Sequence, residues 1–134
     1  MTDPKSLIPR HKHDHERVEA VIALGYPAIA SIVPQLLEWT QDPNWPVAIR
    51  LAKFLASIGE PIVGDVSEIL AGADGGWKYA CINMIIKRLP KAAAAQLTPQ
   101  LIRLATAPTE NDRHEEVDLA AKEALDWLRA ATAL

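Results

Sequence analysis

Cysteine, phenylalanine and tyrosine are nearly missing from this chain of 134 residues, which holds one Cys, one Phe and two Tyr. A single thiol, Cys81, excludes an intramolecular disulfide and with it the small disulfide-stapled scaffolds. Cys81 lies in the apolar run Ala80, Ile82, Met84, Ile85, Ile86, so a buried, inert thiol is expected. Few of the aromatic and β-branched residues that strands favour are present, apart from Ile, which excludes a mostly-β protein. Six glycines are too few for a collagen-like chain. Long apolar runs are also short of what a membrane needs. The longest uncharged stretch, residues 20–37, is broken by Gly25-Tyr26-Pro27 and again by Pro34-Gln35. Gly ends helices and Pro is poorly tolerated inside one, so two helices and a turn are expected there, not a span. Met1 to Arg10 carries no continuous apolar segment of the secretory kind. With the lone thiol, this leads us to expect a cytoplasmic protein with no membrane partner.

What is abundant is helix former: 22 Ala, 15 Leu and 12 Ile. Apolar residues make up 49% and charged residues 23%, which suits one soluble domain with one core. The net charge is −3, and this overall sign disfavours bulk attraction to nucleic acid. The charge is uneven: residues 45–103 sum to +3 and residues 104–134 to −4. Solvated helix faces are a sufficient explanation of that split. Two features stand out, namely ten prolines in a helix-rich chain and four tryptophans among seven aromatic residues.

The prolines punctuate an internal repeat. Residues 14–43, 44–74 and 75–108 can be laid over one another, with turns at Leu24-Gly25, Ile58-Gly59 and Leu89-Pro90, spaced by 34 and then 31. Ile49, Ala52, Leu55, Ala56 and Ile58 form one apolar stripe at helical spacing, with Arg50, Lys53 and Ser57 on another face. Each unit therefore reads as two antiparallel helices. Pro27 and Pro61 follow the turns by two residues, where a helix's first turn tolerates proline. Pro34 and Pro99 open the matching stretches Pro34-Gln35-Leu36-Leu37 and Pro99-Gln100-Leu101-Ile102, so a helix start or kink is expected at each. Asp14, Asn44 and Thr109 are candidate N-caps. Residues 1–13 read as an extended arm, residues 111–116 as a polar loop or first turn, and residues 109–134 as a terminal helical unit. Repeats of about 30–35 residues, each an αα-hairpin, predict an all-α fold, a short α-solenoid.

Lys12-His13-Asp14-His15-Glu16-Arg17-Val18-Glu19-Ala20, Gly25-Tyr26-Pro27-Ala28, Leu36-Leu37-Glu38-Trp39 and Asp42-Pro43-Asn44-Trp45-Pro46-Val47 carry a resemblance, extended by Trp77-Lys78-Tyr79. Together they resemble a family of small bacterial proteins catalogued as a domain of unknown function. The resemblance implies a single HEAT-like helical-repeat domain over residues 1–134 and supplies no activity.

Several constellations bear on function. His11, His13 and His15 alternate, so on an extended arm they would share one side and could hold Zn²⁺ or Ni²⁺. A polar arm is the simpler account, and no fourth ligand is evident. His15-Glu16 and His114-Glu115 resemble the iron-binding pairs of HEAT-like deoxyhypusine hydroxylases. The middle units, however, carry Ile49-Arg50 and Ala80-Cys81 at the matching positions. Trp45 and Trp77 recur with the repeat, Trp39 precedes one of them, and Trp127 lies in the last helix. An exposed row would mark a partner surface, whereas packing between repeats is the alternative. Arg50, Lys53, Lys87, Arg88 and Arg103 could line a basic face, though the chain is acidic and short for wrapping a duplex. No nucleophile–base pattern, phosphate loop or cysteine cluster appears, and no cofactor is expected. The sequence thus leads to a non-enzymatic protein- or peptide-binding repeat protein. Its expected binding surface comprises Trp39, Asp42, Trp45, Arg50, Lys53, Trp77, Lys78 and Tyr79. The alternatives are an enzyme or small-ligand binder using the His arm, and a weak nucleic-acid binder.

Overall fold

Glycine and proline set the helix ends. The structure, a computed structural model, describes residues 3–132, and every regular element among them is helical. Helix α1 (His15–Leu24) stops at Gly25, whose φ of 73° is open to glycine at little cost. Helix α3 (Ala48–Ile58) stops in the same way at Gly59, with φ 83°. Between them lies α2 (Val33–Glu38), and after Gly59 comes α4 (Val63–Ala71). Pro34 sits in the first turn of α2, and Pro61 in the short 3₁₀ turn Glu60–Ile62 that leads into α4. Pro99 likewise opens α7 (Thr98–Thr106), so the two matched Pro-Gln stretches both begin helices.

The third unit differs. Helix α5 (Gly75–Met84) gives way to a 3₁₀ turn, Ile86–Arg88, before Leu89 runs extended with ψ 153°. Pro90 follows it, and a residue before proline is pushed from helical to extended backbone. Helix α6 (Lys91–Ala95) then precedes α7. The expected terminal helix is split into α8 (Glu110–His114) and α9 (Val117–Thr132), with Glu116 at φ 61° between them. Residues 133–134 lie outside the described residues.

Four sequence expectations need correction. Residues 3–13 are not extended: Pro4–Leu7 is a 3₁₀ turn that packs against α1, and residues 1–2 lie outside the described residues. Asp14 does not cap α1, because Arg10 takes its carboxylate through both backbone N–H and Nε at 3.0 Å. Asn44 and Pro27 do not open helices either. Helix α3 begins three residues after Trp45, and Pro27 follows a cis peptide in a turn before the 3₁₀ segment Ala30–Ile32. Thr109 does cap α8, in a reciprocal box with Asp112.

One cluster of buried apolar side chains runs from Val18 to Leu125. Helix α1 packs against α3, α3 against α5, and α5 against α9, while α4 packs against α7 and α7 against α9. The polar contacts follow the same rhythm. Arg50 pairs with Glu19, 31 residues back. Gln100 and Arg103 donate to the carbonyls of Ser67 and Leu70, each 33 back. Lys78 meets Asp112, 34 ahead, and Lys87 meets Glu123, 36 ahead. Among the described residues, each side-chain hydrogen bond that reaches beyond ten residues spans 31–36.

The Arg10–Asp14–Arg17 cluster ties the N-terminal turn to α1. The Arg10 hydrogen bond holds the Asp14 carboxyl down at about 2, below the usual carboxylate range. A carboxyl depressed in the folded state stabilises above its unfolded pKa and loses that contribution as pH falls. Asp14→Asn is therefore expected to lower stability at neutral pH and to flatten the loss between about pH 4 and pH 2. Urea unfolding across that range checks this; an unchanged acid slope would remove Asp14 as its source.

Candidate functional site

The expected binding residues fall in three places. Trp39 and Trp45 lie in the loop between α2 and α3, their rings tilted at 54° with centroids 5.6 Å apart. Both are half-buried against the core. Asp42 shapes this loop: its carboxylate accepts the Asn44 N–H at 2.8 Å, and its carbonyl accepts from Trp45. Arg50 and Lys53 are exposed on α3, with Arg50 held by both oxygens of Glu19 at 2.7 and 3.0 Å. Trp77, Lys78 and Tyr79 follow one another on α5, so about 100° of helix rotation separates each from the next.

That rotation decides their fates. Tyr79 is 37% exposed. Lys78, expected on the surface, is 2% exposed, and its Nζ meets Asp112 Oδ1 at 2.8 Å. Asp112 is fully buried. Burial alone would raise its pKa, but hydrogen bonds from Lys78 and from the Thr109 backbone outweigh this and hold the carboxyl low. The ammonium thus closes α5 onto α8 and is withdrawn from any partner surface.

Trp77 faces a different neighbourhood. It lines a cleft of about 240 Å³ with Pro34, Leu37 and Glu38 of α2 and Asp65, Glu68 and Ile69 of α4. Its indole N–H is buried and has no hydrogen-bond partner among the described residues. Asp65 and Glu68 stand one helical turn apart on α4. Burial and then the Glu68 charge push the Asp65 carboxyl above its usual range. Neither Glu38, Asp65 nor Glu68 has a hydrogen bond or ion pair among the described residues. The cleft therefore combines an apolar wall and an indole with three carboxylates that no cation neutralises. Glu38, Asp65 and Glu68 were absent from the expected set. The i, i+3 spacing of Asp65 and Glu68 was visible in the sequence, but that Glu38 lines the same cleft depends on where the fold places α2 and α4.

Most of the basic residues weighed for nucleic acid are engaged within the fold. Arg50 and Lys87 hold Glu19 and Glu123, while Arg88 and Arg103 donate to the Met84 and Leu70 carbonyls. His11, His13 and His15 are exposed around a turn, with His11 Nδ1 accepting the His13 N–H. Among the described residues no three of His, Cys, Asp or Glu gather as metal ligands would. Cys81 is fully buried, and burial pushes its thiol up to about 12, which keeps it protonated and unreactive. No helix among the described residues is long and apolar enough to cross a membrane.

A family model described as a domain of unknown function, DUF5071, matches residues 7–125. No curated protein matches the chain.

Two outcomes test this geometry. Lys78→Ala leaves Asp112 as an unpaired buried charge and is expected to cost about 3–5 kcal/mol in urea unfolding; a loss under about 1 kcal/mol would contradict the buried pair. Glu68→Gln removes the like charge beside Asp65, so the Asp65 pKa measured by NMR is expected to fall. A rise, or no movement, would mean that the two carboxylates do not share one field.

Proposed function

The chain belongs to the DUF5071 family, and from that premise we propose that it is a non-enzymatic protein- or peptide-binding module, built as a short HEAT-like α-solenoid. The resemblance and the buried lone thiol favour a bacterial cytoplasmic setting. The 31–36-residue reach of the long-range polar contacts supports a stack of repeated units. Stacked hairpins offer extended grooves, which serve recognition.

The observation that carries the reading is the unneutralised acidic cleft beside Trp77. Asp65 is partly desolvated and stands beside the like charge of Glu68 with no basic partner, and a bound cation relieves both penalties. The apolar wall of Pro34, Leu37 and Ile69 suits the methylene stem of a lysine or arginine. The indole adds an aromatic face for the charged head. The cleft therefore selects a cationic segment of a partner, with Trp77, Asp65 and Glu68 as its main contacts. Of the residues first expected on the binding surface, Trp77 stays central, and Trp39, Asp42 and Trp45 form a neighbouring loop.

Calorimetric titration with short peptides tests this. Peptides with Lys or Arg beside apolar residues are expected to bind, and more weakly at high salt. Replacing Asp65 and Glu68 together by Asn and Gln is expected to weaken them at least about tenfold, or 1.4 kcal/mol. Equal binding of acidic peptides, or undiminished binding by the folded double variant, would sink the reading.

A further inference from the structure

We propose that the trough between α6, α7 and the end of α9 is a separate binding site for a single-chain amphiphile with a carboxylate headgroup. The trough encloses about 400 Å³, within the range of about 300–1,000 Å³ typical of small-molecule sites. Its floor is apolar: Ala95 of α6, Ile102 of α7, and Leu125 and Leu128 of α9. Ile102 is 44% exposed, so an apolar chain laid in the trough would cover a large side chain that the fold leaves in water. Among the described residues, Lys91 and Arg129 are the charged side chains that line it, and Arg129 stands 3.9 Å from the Asp126 carboxylate.

Lys91 is exposed and oriented by two contacts within the fold. Its Nζ donates to the Trp127 carbonyl at 3.0 Å and stands 4.1 Å from the centroid of the Trp127 ring. A carbonyl and an indole orient the ammonium without cancelling its charge, and no carboxylate pairs with Lys91 among the described residues. An ammonium has three N–H donors; with one on the Trp127 carbonyl and one side turned to the ring, one stays available to an anionic headgroup. An oriented cation costs a ligand little ordering, which favours binding. Size favours a small molecule over a docked helix: α6, which forms one wall, is five residues long. The opposite sign of this trough and of the Trp77 cleft means that the two select different ligands. The inference stands independently of the peptide-binding reading.

The test is calorimetric titration of the full chain with decanoate below its micelle concentration. Decyltrimethylammonium, decanol and anionic phospholipid vesicles serve as comparison arms, and chemical-shift mapping locates the site. Decanoate is expected to bind more tightly than about 1 mM, to shift the amides around Ile102, Leu125 and Leu128, and to exceed both other ten-carbon probes. Lys91→Glu and Ile102→Asp are each expected to weaken it at least about tenfold. Both positions are exposed, so the variants should fold, as circular dichroism would verify. Lys12→Glu, an exposed cation in the segment before α1, should leave binding unchanged. Absence of binding, equal binding of the cationic probe, or binding to vesicles alone overturns the proposal. So does decanoate binding that survives both substitutions.

Discussion

A short helical pair has one apolar side and nothing of its own to cover it, and this constraint shapes the whole molecule. The chain meets it by packing α1 against α3, α3 against α5 and α5 against α9, with α4 against α7. Val18 to Leu125 thereby become one continuous cluster. The long-range polar contacts join the same layers over 31–36 residues, from Glu19–Arg50 to Lys87–Glu123. Most of these surface pairs contribute little energy, since exposed ion pairs are worth about 0–1 kcal/mol. Their regularity records the helix packing more than it causes it.

Lys78–Asp112 is the exception, because both partners are out of water. Desolvating two charges is expensive, and their attraction offsets this only with good geometry and further hydrogen bonds. Asp112 has them: it also accepts the Thr109 backbone N–H and so completes the capping box of α8. One carboxylate therefore starts a helix and fastens it to α5. Gly75 makes the same junction tight, since a Cβ there would fall 2.6 Å from Asn111 Oδ1. Such a junction favours one arrangement of the last helices over near alternatives, because any shift strands a buried charge.

The parts of the fold legible in the sequence were those decided locally. Gly25 and Gly59 end helices because their backbone demands positive φ, and Pro34, Pro61 and Pro99 open them because their missing N–H is not needed there. Thr109 capped as expected, since its partner Asp112 is three residues away. Asp14 had the same chemistry but lost the cap to Arg10, a competition that a propensity does not contain. The site was less legible for the same reason. Trp77, Lys78 and Tyr79 are adjacent in sequence, yet one lines a cleft, one is sealed in an ion pair and one faces water. Glu38 and Asp65 are 27 residues apart and line one cleft only because of where the fold places their helices.

That dependence gives the acidic cleft its character. Within one helix, Asp65 and Glu68 repel each other only modestly, because water screens exposed i, i+3 charges. Packing brings Glu38 to the same cleft and removes part of the water around Asp65, so that carboxylate is more costly there than on an open helix face. The raised pKa of Asp65 is the local sign of that cost. A structural role would call for a cation to offset it, as Glu19, Asp112 and Glu123 each have. The fold supplies partners for carboxylates at its other junctions and leaves this cleft without one. An uncompensated cost at a concave site is what a positively charged ligand would relieve, and the relief would appear directly as affinity.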